Sequence, residues 1–223
     1  MSVCADIVGR NGHPVQRITL NIKDAYRFEA GQYLSVQGEG IEIPLSIASA
    51  PHRLPELELH YRSIPGAPEA IAMDALLRGS CLNVSAAQGD VRCRSAKEPL
   101  LLIAGGSGAA QAFSCAAHRA WQNAEQTAVL WCADHNDDVY ETQRLSDYVK
   151  GQLQICVDSQ RTKQNAGMVW LREHCHQYRG HNVILCGSPA FVYAVTDLLC
   201  DRGFAIQSLQ SDVYTYAPRT ESR

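Results

Sequence analysis

The segment Ala104 to Gln111 reads AGGSGAAQ and lies between an apolar run, Leu100 to Ala104, and an Ala-rich stretch with helical character. Glycines in a strand-to-helix turn let the backbone approach a pyrophosphate, and the helix start adds free N–H groups and a positive dipole end. Gly106 and Gly108 match the first two glycines of G-x-G-x-x-G, and Gln111 stands at the third. Gly105 and Ser107 complete the turn. Asp134 follows the next apolar run, Thr127 to Cys132. A carboxylate there can accept hydrogen bonds from ribose hydroxyls and repels a 2′-phosphate, which favours NADH over NADPH. The same turn also reads as a G-x-S-x-G nucleophile elbow with Ala109 at its last position; a hydrolase would then need partners such as Asp158 and His181. His174, Cys175 and His176 lie too close in sequence to share one helix face as metal ligands, and we assign no metal site.

Two rhythms must position these residues. Up to Ala96 the apolar segments are short, alternating and broken by Gly and Pro. Strands are predicted at 15–22, 32–36, 43–48, 57–61 and 81–84, with a helical insert near 69–77, which suggests a small antiparallel barrel. After Lys97-Glu98-Pro99, apolar runs alternate with helical stretches, as in βαβ units around a parallel sheet. The predicted strands are 100–104, 127–132, 153–157 and 182–186; helices are predicted at 109–123, 141–150, 168–177 and 190–201. The chain thus divides into a β-rich unit, 1–96, and an α/β unit, 97–223.

Composition excludes several classes. With 46% hydrophobic and 19% charged residues over 223 positions, the chain is globular. A net charge of -3 argues against a general affinity for nucleic acid. No apolar run reaches the ~18 residues of a membrane span, and the first dozen residues lack a signal-peptide pattern. A cytoplasmic location is expected. The nine cysteines include no CxxC pair and no ferredoxin-type spacing, so neither disulfides nor an iron–sulfur cluster is expected.

Six ordered motifs carry a family resemblance. They are Gly31-Gln32-Tyr33, Pro44 to Pro51 (PLSIASAP), Leu57 to His60 with Arg62 and Pro65-Gly66, Ala104 to Gly108, Leu185 to Pro189 (LCGSP), and Ser211 to Tyr214 (SDVY). In that order they resemble the ferredoxin–NADP reductase superfamily, and within it the short NAD(P)H-dependent flavin reductases. The resemblance implies an N-terminal flavin-binding antiparallel β-barrel and a C-terminal α/β parallel-sheet nucleotide-binding domain. It implies that Ser46 meets the reactive edge of the flavin, that Cys186 closes the nicotinamide pocket, and that Tyr214 covers a ring. Pro44, Leu45, Ile47, His60, Tyr61, Arg62 and Gly66 would contact flavin; Gly187 and Pro189 would join Gly105 to Gly108 and Asp134 around NADH or NADPH. A protein electron acceptor is a further implied partner.

The departures from the family pattern concern the phosphate. Ile43 stands where the family has an arginine, Leu45 where it has an aromatic, and Pro68-Glu69-Ala70 where a serine or threonine meets the phosphate. Losing one charge-assisted contact costs on the order of 1.5–3 kcal/mol, roughly one to two decades of affinity. Arg53 and Arg62 are the candidates to compensate. The expectation is a weakly and transiently held flavin, with similar affinity for riboflavin, FMN and FAD. The rival expectation is a non-catalytic or partner-dependent paralogue that has lost one or both ligands.

Overall fold

The computed structural model describes residues 2–23, 25–38, 40–93, 96–159 and 165–219. Six antiparallel strands come first: β1 (Ser2–Asn11), β2 (Val15–Asn21), β3 (Tyr33–Gly38), β4 (Ile41–Ser46), β5 (Glu56–Arg62) and β6 (Cys81–Ser85). Their order is β4-β3-β6-β1-β2-β5, and the bridge between Ile47 and Leu59 joins the two edges into a closed barrel. Closure removes the unpaired edges that an open sheet would leave. Alternate residues point inward, so Ile18, Leu20, Leu34, Leu57 and Leu59 are fully buried together. Helix α1 (Pro68–Leu76) starts on a proline at its first turn, where the missing N–H is not needed, and seats Met73 in the barrel core.

The second sheet is parallel, with β7 (Leu100–Gly105), β8 (Thr127–Ala133), β9 (Leu153–Val157), β10 (Asn182–Cys186) and β11 (Leu209–Gln210) in the order β11-β10-β7-β8-β9. Helices α2 (Ala109–Trp121), α3 (Thr142–Tyr148), α4 (Ala166–His174) and α5 (Pro189–Asp201) cover its faces, and α6 (Val213–Tyr216) follows β11. Covering both faces explains why β7 and β8 are almost uninterrupted apolar runs. From β7 the chain winds outward through β8 and β9, then returns to β10 on the other side. The order reverses between β7 and β10, and a crevice for ligands is expected at the C-terminal ends of those strands.

The fold class is the expected one. Strand β1 was not expected, because its burial alternates poorly and its register with β2 shifts between Ile7 and Gly9. The two sheets share apolar packing: Ala30, Ala48 and Val91 pack with Phe113, Cys115 and Trp131. Among the described residues, no helix is long and apolar enough to cross a membrane.

Candidate functional site

A cleft of about 1160 Å³ opens where the switch point faces the barrel. The barrel contributes Pro44, Leu45, Ser46, His60, Tyr61 and Arg62; the second sheet contributes Gly105, Gly106, Ser107, Gly108, Asp134 and Gly187. Twelve predicted site residues, from segments more than 100 positions apart, therefore meet in one place. Ser46 ends β4 opposite Tyr33 and is half-buried at the cleft wall. Ser107 sits in the short turn Gly106–Gly108, at the start of α2.

Two glycines in that turn are dictated by geometry. A Cβ on Gly108 would lie 2.6 Å from both the carbonyl C and O of Cys186, so only a glycine lets α2 begin against the end of β10. Gly106 has φ +54 and open space where a Cβ would point. Its left-handed backbone turns the chain without strain only when no side chain is present. Gln111 is not a defective third glycine. Its Nε2 donates to the Gly31 carbonyl and, over 2.9 Å, to Asp212 Oδ2. Asp212 Oδ1 accepts from the N–H groups of Asp90, at 2.8 Å, and Val91, at 3.2 Å. This position ties α2, the barrel and the C-terminal segment together.

Behind the cleft a polar chain crosses between the sheets. Arg144 donates to Glu58 Oε1 over 2.9 Å, and His60 Nε2 lies 2.5 Å from the same oxygen. His60 Nδ1 is 2.7 Å from the Tyr140 hydroxyl. Burial lowers the His60 pKa against the opposing pull of Glu58, so the ring is neutral. An ionised Glu58 only accepts, which places the proton on Nε2 and leaves Nδ1 to accept from Tyr140. Burial works to raise the Glu58 carboxyl, yet the hydrogen bonds from His60 and Arg144 outweigh it and hold the group at about 2.

This gives a first prediction. A carboxyl held at about 2 against an ordinary 4.5 adds stability that is present above pH 4.5 and is lost as pH falls toward 2. Glu58→Gln should cost roughly 1.5–3 kcal/mol near neutral pH, and the gap from the parent should close on acidification through that window. Denaturant melts at several pH values measure it; a gap independent of pH contradicts the assignment.

Five predicted contact residues, Ile47, Gly66, Cys186, Pro189 and Tyr214, are not among the described residues that line the cleft. Ile47 points into the barrel core and is fully buried. Gly66 lies in an exposed turn before α1, and Pro189 is the exposed first residue of α5. Cys186 is 2% exposed and sits behind Gly187, and burial pushes its thiol far up, so it is no thiolate at neutral pH. The Tyr214 hydroxyl is 2.7 Å from Thr196 Oγ1, and its ring packs with Tyr193 against α5. The terminal tyrosine on the cleft is Tyr216, 60% exposed. In the short helix α6, residues two apart face different directions, a point invisible without the helix.

Neither compensating arginine is free in the cleft. Arg53 pairs with Glu56 at 2.9 Å and lines a separate groove. Arg62 lines the cleft but is ion-paired with Asp138. The hydrolase alternative also fails on geometry. His181 precedes β10, whereas Ser107 follows β7; with Asn182 level with Leu100, the two lie at opposite ends of the sheet, roughly 16 Å of strand apart.

No protein-family model matches the chain. It is 29% identical over 217 residues to a probable flavin reductase of Vibrio harveyi, covering 90% of this chain and 93% of that protein. It is 28% identical over 214 residues to reductase component 2 of a terephthalate 1,2-dioxygenase of Comamonas sp, covering 91% of this chain and 64% of that protein. The chain thus spans somewhat under two thirds of the dioxygenase reductase it matches. A ferredoxin NADP+ reductase of Neisseria gonorrhoeae, solved with bound FAD and NADP, superposes with TM-score 0.78 at 16% identity over 94% of this chain and 97% of that one. A closed six-stranded barrel, a five-stranded parallel sheet with its glycine turn at the switch point, and near full-length similarity to a probable flavin reductase make this chain similar to flavin reductases and, in fold, to a ferredoxin NADP+ reductase.

Proposed function

We propose that the chain is an NAD(P)H-dependent flavin reductase, with NADH favoured, that uses FAD, FMN or riboflavin as a weakly held, exchanging flavin. The observation that carries this reading is one cleft lined both by Ser46 of the barrel and by the Gly106–Gly108 turn of the parallel sheet. The two units, 1–96 and 97–223, would hold the flavin ring and the nucleotide respectively. When both are bound, the nicotinamide supplies a hydride and the flavin accepts it.

The residues present fit a flavin ring and a dinucleotide. Ser46 offers a hydroxyl donor at the ring edge, where negative charge develops. Leu45 and Tyr61 supply an apolar wall. The turn and the start of α2 offer N–H groups to a pyrophosphate. Gly187 lets the nicotinamide approach the end of β10, and Tyr216 covers the cleft from the C-terminal side. The fit does not extend to a flavin phosphate, because Ile43 is apolar and Arg62 is already paired. Onward transfer to an acceptor protein in the cytoplasm is the physiological outcome we propose, by analogy with the dioxygenase reductase component.

Nucleotide preference gives a second prediction. Asp134 is exposed at the end of β8, where it would accept from ribose hydroxyls. Asp134→Ser should raise kcat/KM for NADPH relative to NADH by about tenfold, the size of one ~1.4 kcal/mol contact. An unchanged ratio contradicts this role. The flavin reading itself is tested by the absorbance spectrum of the purified protein. A colourless protein that binds added riboflavin reversibly supports it, and a stoichiometric, non-exchanging FAD overturns it.

A further inference from the structure

We infer that Asp138 sets the order of preference among flavins in the cleft, by neutralising Arg62 and disfavouring those that carry a phosphate. This rests on the flavin reading above and adds to it a selecting residue and a substrate class, flavins without a phosphate.

Among the described residues lining the cleft, Arg62 is the one with a guanidinium or ammonium group. Its place in the barrel matters. Arg62 ends β5 and, with Ile43 and Pro44 of β4, lines the barrel side of the cleft. Arg62 is therefore the cation that the barrel side of the cleft could offer a flavin phosphate in place of the apolar Ile43. Left alone, it would restore that anchor.

Asp138 prevents this. It ends the short turn Asn136–Asp138 after β8, on the opposite wall of the cleft. It is 3% exposed and forms an ion pair with Arg62, whose side chain remains 35% exposed. Turning Arg62 toward a phosphate would strand a buried carboxylate without its counter-charge, which is strongly unfavourable. A phosphate reaching Arg62 would also stand beside the Asp138 carboxylate, with Asp134 on the same wall. Like charges in a partly dry cleft repel more than they would in water. The neutral ribityl chain of riboflavin meets no such penalty. The cleft should therefore not merely be indifferent to the phosphate, as the loss of an anchor alone would make it; it should prefer its absence.

The test is equilibrium binding without nicotinamide nucleotide, read by quenching of flavin fluorescence. Dissociation constants for riboflavin and FMN are measured on the parent, on Asp138→Asn and on the Arg62→Gln/Asp138→Asn double variant, with thermal midpoints recorded for each. The parent should bind riboflavin several-fold tighter than FMN. Asp138→Asn should lower the FMN-to-riboflavin ratio of dissociation constants at least fivefold, because Arg62 becomes free to meet the phosphate. The double variant carries no unpaired charge and so guards against misfolding; its ratio should lie near one. A parent that binds both flavins with equal affinity, or a ratio unmoved by Asp138→Asn, overturns the role of Asp138 while leaving the flavin reading intact. A parent that binds neither flavin overturns the flavin reading, and this inference with it.

Discussion

Ser46→Ala is expected to slow flavin reduction about 10²-fold, the usual effect of removing one hydrogen-bond donor aimed at developing charge. The side chain is half-buried on the cleft wall at the end of β4, paired across the sheet with Tyr33, so its truncation leaves the barrel core untouched. Thermal stability should change little. The loss should fall on kcat, with KM for riboflavin moving much less, because the hydroxyl acts as charge shifts onto the ring rather than on binding alone. Ser46→Thr, which keeps the hydroxyl, should recover much of the rate. Single-turnover reduction of riboflavin by NADH makes the comparison. An Ala variant at parental rate would remove Ser46 from the chemistry.

Gly108→Ala should be as damaging by a different route. The added methyl would sit 2.6 Å from the carbonyl C and O of Cys186 and 2.8 Å from the amide N of Gly187. Those are backbone atoms at the end of β10, and the parallel pairing of β10 with β7 holds their spacing. Neither side can yield cheaply. Forced overpacking of this kind costs about 1–3 kcal/mol, which for a chain of this size lowers the melting midpoint by roughly 2–4 °C per kcal/mol. The same displacement separates the Gly106–Gly108 turn from Gly187, the two backbone segments that line the parallel-sheet side of the cleft, where the nucleotide is proposed to bind. KM for NADH should rise at least about tenfold, as the loss of one good contact would produce. Calorimetry and initial-rate kinetics read the two effects separately. A variant with parental stability and parental KM contradicts the close approach.

The legible parts of this molecule were those carried by local pattern. Runs such as Leu100 to Ala104 announce a strand buried on both faces, and the glycine turn after it announces a crevice. Strand β1 escaped because Gly9 interrupts its register and its side chains are mostly half-exposed, so no period of two stands out. At the site, the named residues on the turn and on β4 and β5 line one cleft. Those that depend on which way a side chain leaves a short element do not: Tyr216 lines the cleft rather than Tyr214, and Ile47 turns into the core. Asp138, Tyr140 and Gln111 carry several of the polar contacts between the two units. Nothing local marks them, because each gains its role from a partner 75 or more positions away in the chain. A broken glycine fingerprint was the one available hint, and Gln111 gives it a physical cause.

The loss of the phosphate anchor is likewise clearer with the fold in hand. Ile43 alone left room for Arg53 or Arg62 to compensate. The ion pairs of Arg53 with Glu56 and of Arg62 with Asp138 remove both. The chain keeps the groups that would face a flavin ring and withholds a free cation, among the described cleft residues, from its phosphate.

The proposed reaction is hydride transfer from a reduced nicotinamide nucleotide to an exchanging flavin in this cleft. Steady-state oxidation of NADH with riboflavin as sole added acceptor measures it. The expected result is turnover that requires both compounds, saturates in each, and collapses in Ser46→Ala. No turnover, together with no binding of riboflavin, would contradict it and leave a chain that has kept the reductase fold without the reaction.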